Sequence, residues 1–315
     1  MEPKLTTLTA KKQLLDTYIP LPQEIIKNLN EWFRIELTYT SNAIEGNTLT
    51  RQETALVVEE GITVQGKSIQ EHLEAINHAK AFDFIQKELI LKERKNITQQ
   101  NILNIHSLIL HKINNTDAGR YRTTAVRLRG SQTILPNPLK VPQLMDEFMQ
   151  WLQGSNTDHP VKIAADAHYK LVTIHPFVDG NGRTARLLLN LLLLQAGYPP
   201  AVIRKEDRSA YINSLEKGQT GGSLDEYFTV ILDAVDRSLD MYLETVKPER
   251  TTPPTRQADQ RFYTTAEVAG LLQVDPETVR RYVRSGQLKA VRLGGKFIRI
   301  DKNDLNQFID QLKSK

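Results

Sequence analysis

His175-Pro176-Phe177-Val178-Asp179-Gly180-Asn181-Gly182-Arg183-Thr184-Ala185-Arg186 joins two stretches of helical patterning. Upstream, Pro160 to Ile174 reads as a helix. Downstream, residues 183–196 form an apolar helix closed by Gly197 and the pair Pro199-Pro200. Between them, two glycines permit positive φ and close backbone approach. The second helix then offers unpaired N–H groups and a positive dipole end, a ready anion site. Arg183 and Arg186 fall on nearby faces of its first turn, and guanidinium groups match phosphate oxygens bidentately. Asp179 adds a hard oxygen suited to Mg²⁺, which takes few carboxylates and completes its shell with substrate phosphates. His175 stands ahead of the loop as a general base for neutral pH. A lone histidine here would be read as a helix-end residue. The dense combination of histidine, aspartate, glycines and arginines points to phosphate chemistry instead.

Working outward, residues 23–44 carry apolar side chains at helical intervals, among them Ile25, Leu29, Phe33, Leu37 and Ile44. Thr50 with Glu53, and Ser68 with Glu71, have the spacing of capping boxes that open further helices. Thr98 opens another, and one runs from Pro142 to about Gln153. Residues 121–140 differ: Val126, Leu128, Gly130-Ser131 and Ile134 before Pro136 and Pro138 signal a short hairpin. Gly61 to Ser68 satisfies the P-loop spacing, but Arg51–Glu60 before it reads as an amphipathic helix rather than a buried strand. Ser68 is better explained as an N-cap. His72, His78, His106, His111 and His168 lack metal-site spacing and read as core or surface residues.

Lys247 to Gln260, KPERTTPPTRQADQ, has three prolines and no large apolar residue, the composition of a linker. The expected organisation is residues 1–246, a linker over 247–260, and a small domain over 261–315. In that last part, Thr264 opens one short helix. Asp275 with Pro276 opens a second, which carries Thr278, Arg280, Arg281 and Arg284. Ala290–Leu293 and Lys296–Ile300 flank Gly294-Gly295, read as a two-residue hairpin turn, with Arg292 and Lys296 on the resulting wing. The net charge is +4, yet from Thr255 onward there are 12 Lys/Arg against 7 Asp/Glu, and between Arg280 and Arg299 seven basic residues and no acids. A polyanion such as DNA is the expected partner of this part.

The 315 residues contain no cysteine, which excludes disulfides, thiol catalysis and cysteine-ligated metals. The first twenty residues lack the apolar region of a secretory signal. The strongest apolar run, Leu187 to Leu194, is interrupted by Asn190 and too short to span a bilayer. The expectation is a cytoplasmic protein without a membrane partner.

The segment from His175 to Arg186 resembles the signature of the Fic family, His-x-Phe-x-Asp/Glu-Gly-Asn-Gly-Arg-x-x-Arg, with every specified position filled. Gly119-Arg120-Tyr121-Arg122, Val141 to Met145 and Gly197-Tyr198-Pro199-Pro200 are similar to further stretches of that family, so the resemblance covers roughly residues 20–245. It implies a mainly α fold: a Fic-type helical bundle with a small β-hairpin flap, here followed by a winged helix-turn-helix. It also implies a protein adenylyltransferase that uses ATP and Mg²⁺. His175 would deprotonate a Ser, Thr or Tyr hydroxyl of a target protein, with this chain itself as one candidate target, and Asp179 would hold Mg²⁺. Gly180, Asn181, Gly182, Arg183, Thr184, Ala185 and Arg186 would form the nucleotide site, Asn181 and Arg183 touching phosphate oxygens and Arg186 the γ-phosphate. Gly130, Ser131, Gln132 and Thr133 would be the flap that aligns the target by strand pairing. Tyr211 is a candidate for the adenine pocket, with an ordinary core tyrosine as the equal alternative.

Ser41-Asn42-Ala43-Ile44-Glu45-Gly46 resembles the inhibitory helix of the same family. By that resemblance Glu45 pairs with Arg186, with Ser41 one turn earlier, and basal transfer is low. The resemblance also leaves room for a homodimer, for removal of AMP, and for transfer of other phosphate-containing groups. Residues 261–310 resemble the excisionase/MerR-like winged helix-turn-helix. That opens an alternative of another class, a DNA-binding regulator whose body senses nucleotide.

Overall fold

A computed structural model describes residues 1–90, 97–128, 130–155, 158–246, 262–272, 274–293 and 297–313. Chain contacts divide it into two compact units, Met1–Lys247 and Pro248–Lys315.

The first unit is helical among its described residues: α1 (Glu2–Asp16), α2 (Gln23–Ile44), α3 (Arg51–Glu59), α4 (Ile69–Phe84), α5 (Gln99–Ile109), α6 (Val141–Gly154), α7 (Pro160–Ile174), α8 (Asn181–Gln195), α9 (Arg208–Gln219) and α10 (Asp225–Val246). A π-helical stretch, Ile85–Ile90, continues α4. Local chemistry sets most helix starts. Thr50 and Ser68 form reciprocal capping boxes with Glu53 and Glu71, and Thr98 does so with Asn101. The residues with P-loop spacing therefore end in a helix cap, as expected. α8 begins two residues before the expected start, because Gly180 at φ 77° serves as its N-cap.

The core is a continuous apolar cluster through which α8 runs. Ala185, Leu187, Leu188, Leu189, Leu191 and Leu193 are all buried, each leucine stabilising the fold by roughly 1.5–3 kcal/mol. α7 and α8 make the most extensive helix pair, and α1 lies along α10. α1 buries Leu5, Leu8 and Leu15, while Lys4 and Lys11 pair with Asp233 and Asp236. Sequence patterning did not bring out α1, α9 or α10 as separate elements.

The expected hairpin over 121–140 is corrected. Among its described residues no strand ladder forms, and the segment closes in a single 3-10 turn at Pro138–Lys140. Side chains hold it instead. The Arg122 guanidinium bonds the carbonyls of Thr124 and Pro136, and the Glu216 carboxylate accepts from Ser131 Oγ and Gln132 N.

The second unit contains β1 (Phe262–Tyr263), α11 (Thr265–Leu272), α12 (Pro276–Arg284), β2 (Val291–Leu293), β3 (Phe297–Asp301) and α13 (Lys302–Lys313). Its three strands form an antiparallel sheet in the order β1-β3-β2. Val268, Ala269, Val279, Leu288, Ile300, Leu305 and Phe308 make its own small core. Leu293 pairs with Phe297, so three residues separate the strands rather than the expected two, and Gly294, Gly295 and Lys296 lie outside the described residues. The expected linker, 247–260, lies outside them as well. No helix among the described residues is long and apolar enough to cross a membrane.

Candidate active site

The loop between α7 and α8 is fixed by the chain it connects. His175 caps α7 in the left-handed conformation, φ 52° and ψ 58°, its N–H bonded to Leu171 O at 2.9 Å. A non-glycine residue held there stores strain. Its ring Nδ1 lies 3.2 Å from Val172 O, so Nδ1 carries the proton and Nε2 is the free base. Burial lowers the imidazole pKa, and the Arg122 charge acts the same way. The bond to Val172 and the charges of Glu45 and Asp179 oppose them. His175 is therefore neutral at pH 7.

Behind it, His106 stacks on Phe177 with centroids 3.6 Å apart and planes within 6°. His106 Nδ1 accepts from Gly119 N at 3.0 Å, which leaves Nε2 to donate to Asp179 O at 2.9 Å. Burial holds this imidazole neutral, its pKa pulled down to about 4. The Gly180 Cα packs on the same ring, where a Cβ would come within 3.3 Å. His106 is a core histidine, as read from sequence, and its partners show that it seats the loop.

Asn181 closes the loop from the other side. Its Oδ1 accepts from Phe177 N and its Nδ2 donates to Phe177 O, both at 2.9 Å. The carboxamide is buried and makes a reciprocal pair with the Phe177 backbone, which seats the loop. Thr184 and Ala185, also expected at the nucleotide site, are fully buried beneath it, Ala185 in the apolar core. What remains at the surface of the site is the helix N-terminus at Gly182, with Arg183, Arg186 and Asp179.

Arg183 is 3% exposed and bonds Asp179 Oδ2 at 3.2 Å, with Glu74 Oε1 3.5 Å from Nη1. Its Nε and Nη1 have no hydrogen-bond acceptor. A buried guanidinium with unused donors beside a helix N-terminus is suited to an anion.

The neighbouring position at Gly182 and Arg186 is filled from within the chain. α2 ends in a Schellman motif: Gly46, at φ 103°, and Asn47 donate to Ala43 O and Asn42 O at 3.1 and 3.0 Å. The motif places Glu45 at the helix C-terminus, where a carboxylate is electrostatically disfavoured. Arg208 offsets this by donating from Nε to Ile44 O at 2.7 Å. The Glu45 carboxylate projects over α8, so that a Cβ built on Gly182 would collide with its Oε1. Arg186 Nη2 donates to Glu45 Oε1 at 2.6 Å and to Ser41 O at 2.9 Å, while Nε donates to Ser41 Oγ at 2.9 Å. Burial acts to raise the Glu45 pKa, but Arg186, with Arg183 and Arg208, outweighs it and holds the carboxyl below its usual value. The side chain lies deep among protein atoms yet keeps 39% of its surface accessible through the cavity it lines.

That cavity, about 250 Å³, is bounded by Glu45, His175, Gly182, Arg186, Tyr211 and Glu216 among others. Tyr211 lines it but is 1% exposed, its hydroxyl donating to His168 Nε2 at 2.8 Å. His168 Nδ1 donates to Tyr227 O–H at 2.9 Å, and Tyr227 donates to Ala165 O at 2.7 Å. The hydroxyl of Tyr211 is thus committed to a buried chain that ends against Arg186. Of the flap residues, Gly130 takes φ 77°, and Thr133 Oγ1 bonds Gln219 Oε1 at 3.2 Å. Backbone and side-chain bonds from Gln132 and Ser131 lower the Glu216 pKa. Arg122 and Glu216 were not singled out from sequence. Arg122 belongs to the family-like stretch Gly119-Arg120-Tyr121-Arg122, whereas Glu216 carries no local signal.

Residues 96–193 match the Fic/DOC family, and residues 262–313 match a helix-turn-helix domain. The solved Fic-1 of C. elegans, residues 134–508, is 33% identical with a TM-score of 0.71, covering 77% of this chain and 72% of that one. A Fic domain containing signaling protein from Bacteroides thetaiotaomicron is 30% identical with a TM-score of 0.67, covering 77% and 96%. The chain belongs to the Fic family. The protein adenylyltransferase Fic of Drosophila grimshawi is 42% identical over 207 residues, 65% of this chain and 42% of the relative. The chain spans about half the length of the curated relatives it matches. As a Fic protein it carries the family loop complete, with Glu45 and the second loop arginine, Arg186, in contact.

In the second unit, Asp275 caps α12 through Glu277 N at 2.8 Å. Arg280 and Arg284 are exposed but both bind the Glu277 carboxylate, Arg280 at 3.0 Å. Arg281 is exposed and lies over the Tyr282 ring, Thr278 is half-buried, and Arg292 lies on β2. Two of the three expected recognition-helix arginines are therefore paired internally.

Proposed function

We propose that this Fic protein transfers AMP from ATP to a hydroxyl of a target protein and that Glu45 holds it inactive by default. The target oxygen attacks the α-phosphorus, the bond from that phosphorus to the bridging oxygen breaks, and pyrophosphate leaves. The hydroxyl proton goes to His175 Nε2. The N-terminus of α8 and the unused donors of Arg183 take charge developing on the phosphate oxygens. One observation carries the reading: the Glu45 carboxylate sits on Gly182 and Arg186, where a nucleotide phosphate would bind.

Asp179 fits a role in holding Mg²⁺. Its side chain is 61% exposed at the loop, a single hard carboxylate of the kind that shares this ion with substrate phosphates. Among the described residues no cluster of three or more acidic or histidine side chains forms a protein-only cage. The ion would neutralise phosphate charge.

The test is mass spectrometry of a cell lysate incubated with ATP, Mg²⁺ and the Glu45→Gly variant. Proteins heavier by one AMP, absent with wild type and with Glu45→Gly/His175→Ala, are the expected result. No AMP adduct with Glu45→Gly would defeat the reading.

The basic second unit supports DNA as a further partner, with α12 in the major groove. Replacing Arg280, Arg281 and Arg284 by alanine should abolish duplex binding, and unchanged binding would refute that role.

A further inference from the structure

Arg122 is 3% exposed, and among the described residues no carboxylate pairs with it. Burial alone lowers its pKa. Among the described residues every hydrogen bond of its guanidinium goes to a backbone carbonyl: Nε to His175 O at 2.7 Å, Nη2 to Pro136 O at 2.7 Å and Nη1 to Thr124 O at 3.2 Å. Its own backbone N–H donates to Pro176 O at 2.8 Å. Thr124 and Pro136 are the two ends of the segment that carries Gly130 to Thr133. One side chain therefore gathers both ends of the flap and the carbonyl of the proton acceptor.

We infer that Arg122 is a positioning residue that fastens the base of the flap to His175, so that the target-facing segment and the proton acceptor keep one fixed spacing. This rests on the transfer reaction proposed above. The need for such a fastening is visible locally. The flap has no strand ladder of its own among its described residues, and His175 sits in a left-handed conformation that the bond to its carbonyl helps to hold. A purely space-filling role would not call for a charged group, whose burial is costly unless its donors are used. The three carbonyls lie in different directions, which a planar fork can satisfy and a single ammonium cannot. Arg122→Lys thus keeps the charge and removes the fastening.

The test has two arms. In the first, hydrogen exchange is followed over residues 124–136 in wild type, Arg122→Lys and Arg122→Ala, with melting curves to confirm folding. Exchange on the order of tenfold faster in the folded variants is expected, the effect of losing charge-assisted bonds. Unchanged exchange in folded Arg122→Lys would overturn the inference. In the second arm the same substitutions are placed on Glu45→Gly, and AMP transfer is measured in trans to the His175→Ala copy of this chain as acceptor. KM for that acceptor should rise about tenfold while KM for ATP stays within about twofold, and methylguanidinium should restore activity to Arg122→Ala. Equal rises in both KM values would mark a general packing defect and count against it. Failure of the Glu45→Gly parent to modify any protein defeats the proposed function instead, and the exchange arm still decides Arg122.

Discussion

Glu45 and Arg186, 141 residues apart in the chain, meet at 2.6 Å directly above the N-terminus of α8. The pairing places the protein's own carboxylate over the start of α8. In the proposed reaction a nucleotide phosphate would displace it from a helix dipole, from Arg186 and from the charge of Arg183. ATP affinity should therefore rise when Glu45 is removed, in parallel with activity. Calorimetric titration of Glu45→Gly against wild type checks this, with affinity at least tenfold tighter as the expected outcome. Equal affinities would mean that the carboxylate does not compete.

Ser41 supports the same contact with a smaller share. It is 4% exposed, and its hydroxyl accepts from Arg186 Nε while its carbonyl accepts from Nη2. Ser41→Ala removes only the first. It should destabilise the fold by about 1–2 kcal/mol, since a buried guanidinium N–H loses its acceptor. Basal AMP transfer should lie between wild type and Glu45→Gly. Denaturant unfolding and labelled ATP incorporation measure the two effects separately.

How much of this could be read from sequence follows the range of each interaction. The capping boxes at Thr50 and Ser68 and the bounds of α2 and α7 are local, and patterning located them. So were the loop residues His175, Asp179, Arg183 and Arg186, whose chemistry is dense within twelve positions. Glu45 against Arg186 came only through the family resemblance, because nothing near Glu45 in sequence announces a partner 141 positions on. The residues that seat the loop were illegible for the same reason. His106 reaches Asp179 across 73 positions and Arg122 reaches His175 across 53. The pairing of Asn181 with the Phe177 backbone is a further seating contact that no sequence pattern announced.

The pH dependence of catalysis follows from burial of His175. Its pKa is lowered from the ordinary 6.5, so the base is unprotonated through neutral pH and becomes protonated only as pH falls below that value. Transfer by Glu45→Gly should accordingly be flat from neutral pH upward in this limb and fall only on the acid side of 6.5. Removing the Glu45 charge, which raises the His175 pKa in wild type, moves the limb further toward acid. A limb centred above 6.5 in the pH–rate profile would exclude His175 as a desolvated base.

Stability has its own acid limb. His78 and His168 are buried, with pKa values near 3, and His106 near 4, each lowered chiefly by burial. In the unfolded chain these histidines take up protons below 6.5, and in the folded chain they do not. The unfolded state therefore binds more protons. Stability is complete above 6.5 and declines as pH falls toward the folded values, by up to about 1.4 kcal/mol per histidine per pH unit. Urea unfolding of the first unit at stepped pH should show this slope well before the carboxylates titrate. His78→Gln should make the slope shallower by one proton.

Glu277 sets the charge that α12 presents. Its carboxylate binds Arg280 and Arg284 together, and both arginines lower its pKa. On DNA these guanidinium groups would have to leave Glu277 for phosphate or base edges, and the freed carboxylate would then face a polyanion. Both steps weaken binding. Glu277→Gln removes the negative charge while keeping the helix-start backbone bond that Asp275 makes to residue 277. It should strengthen duplex binding several-fold at low salt, with the gain shrinking as ionic strength rises. Arg281→Ala, which removes an exposed arginine without a carboxylate partner among the described residues, should weaken binding and reduce the salt slope by about one. Anisotropy of a labelled duplex across a salt series separates the two. If Glu277→Gln binds no tighter than wild type at any salt, Arg280 and Arg284 do not contact the duplex, and their pairing with Glu277 serves α12 alone.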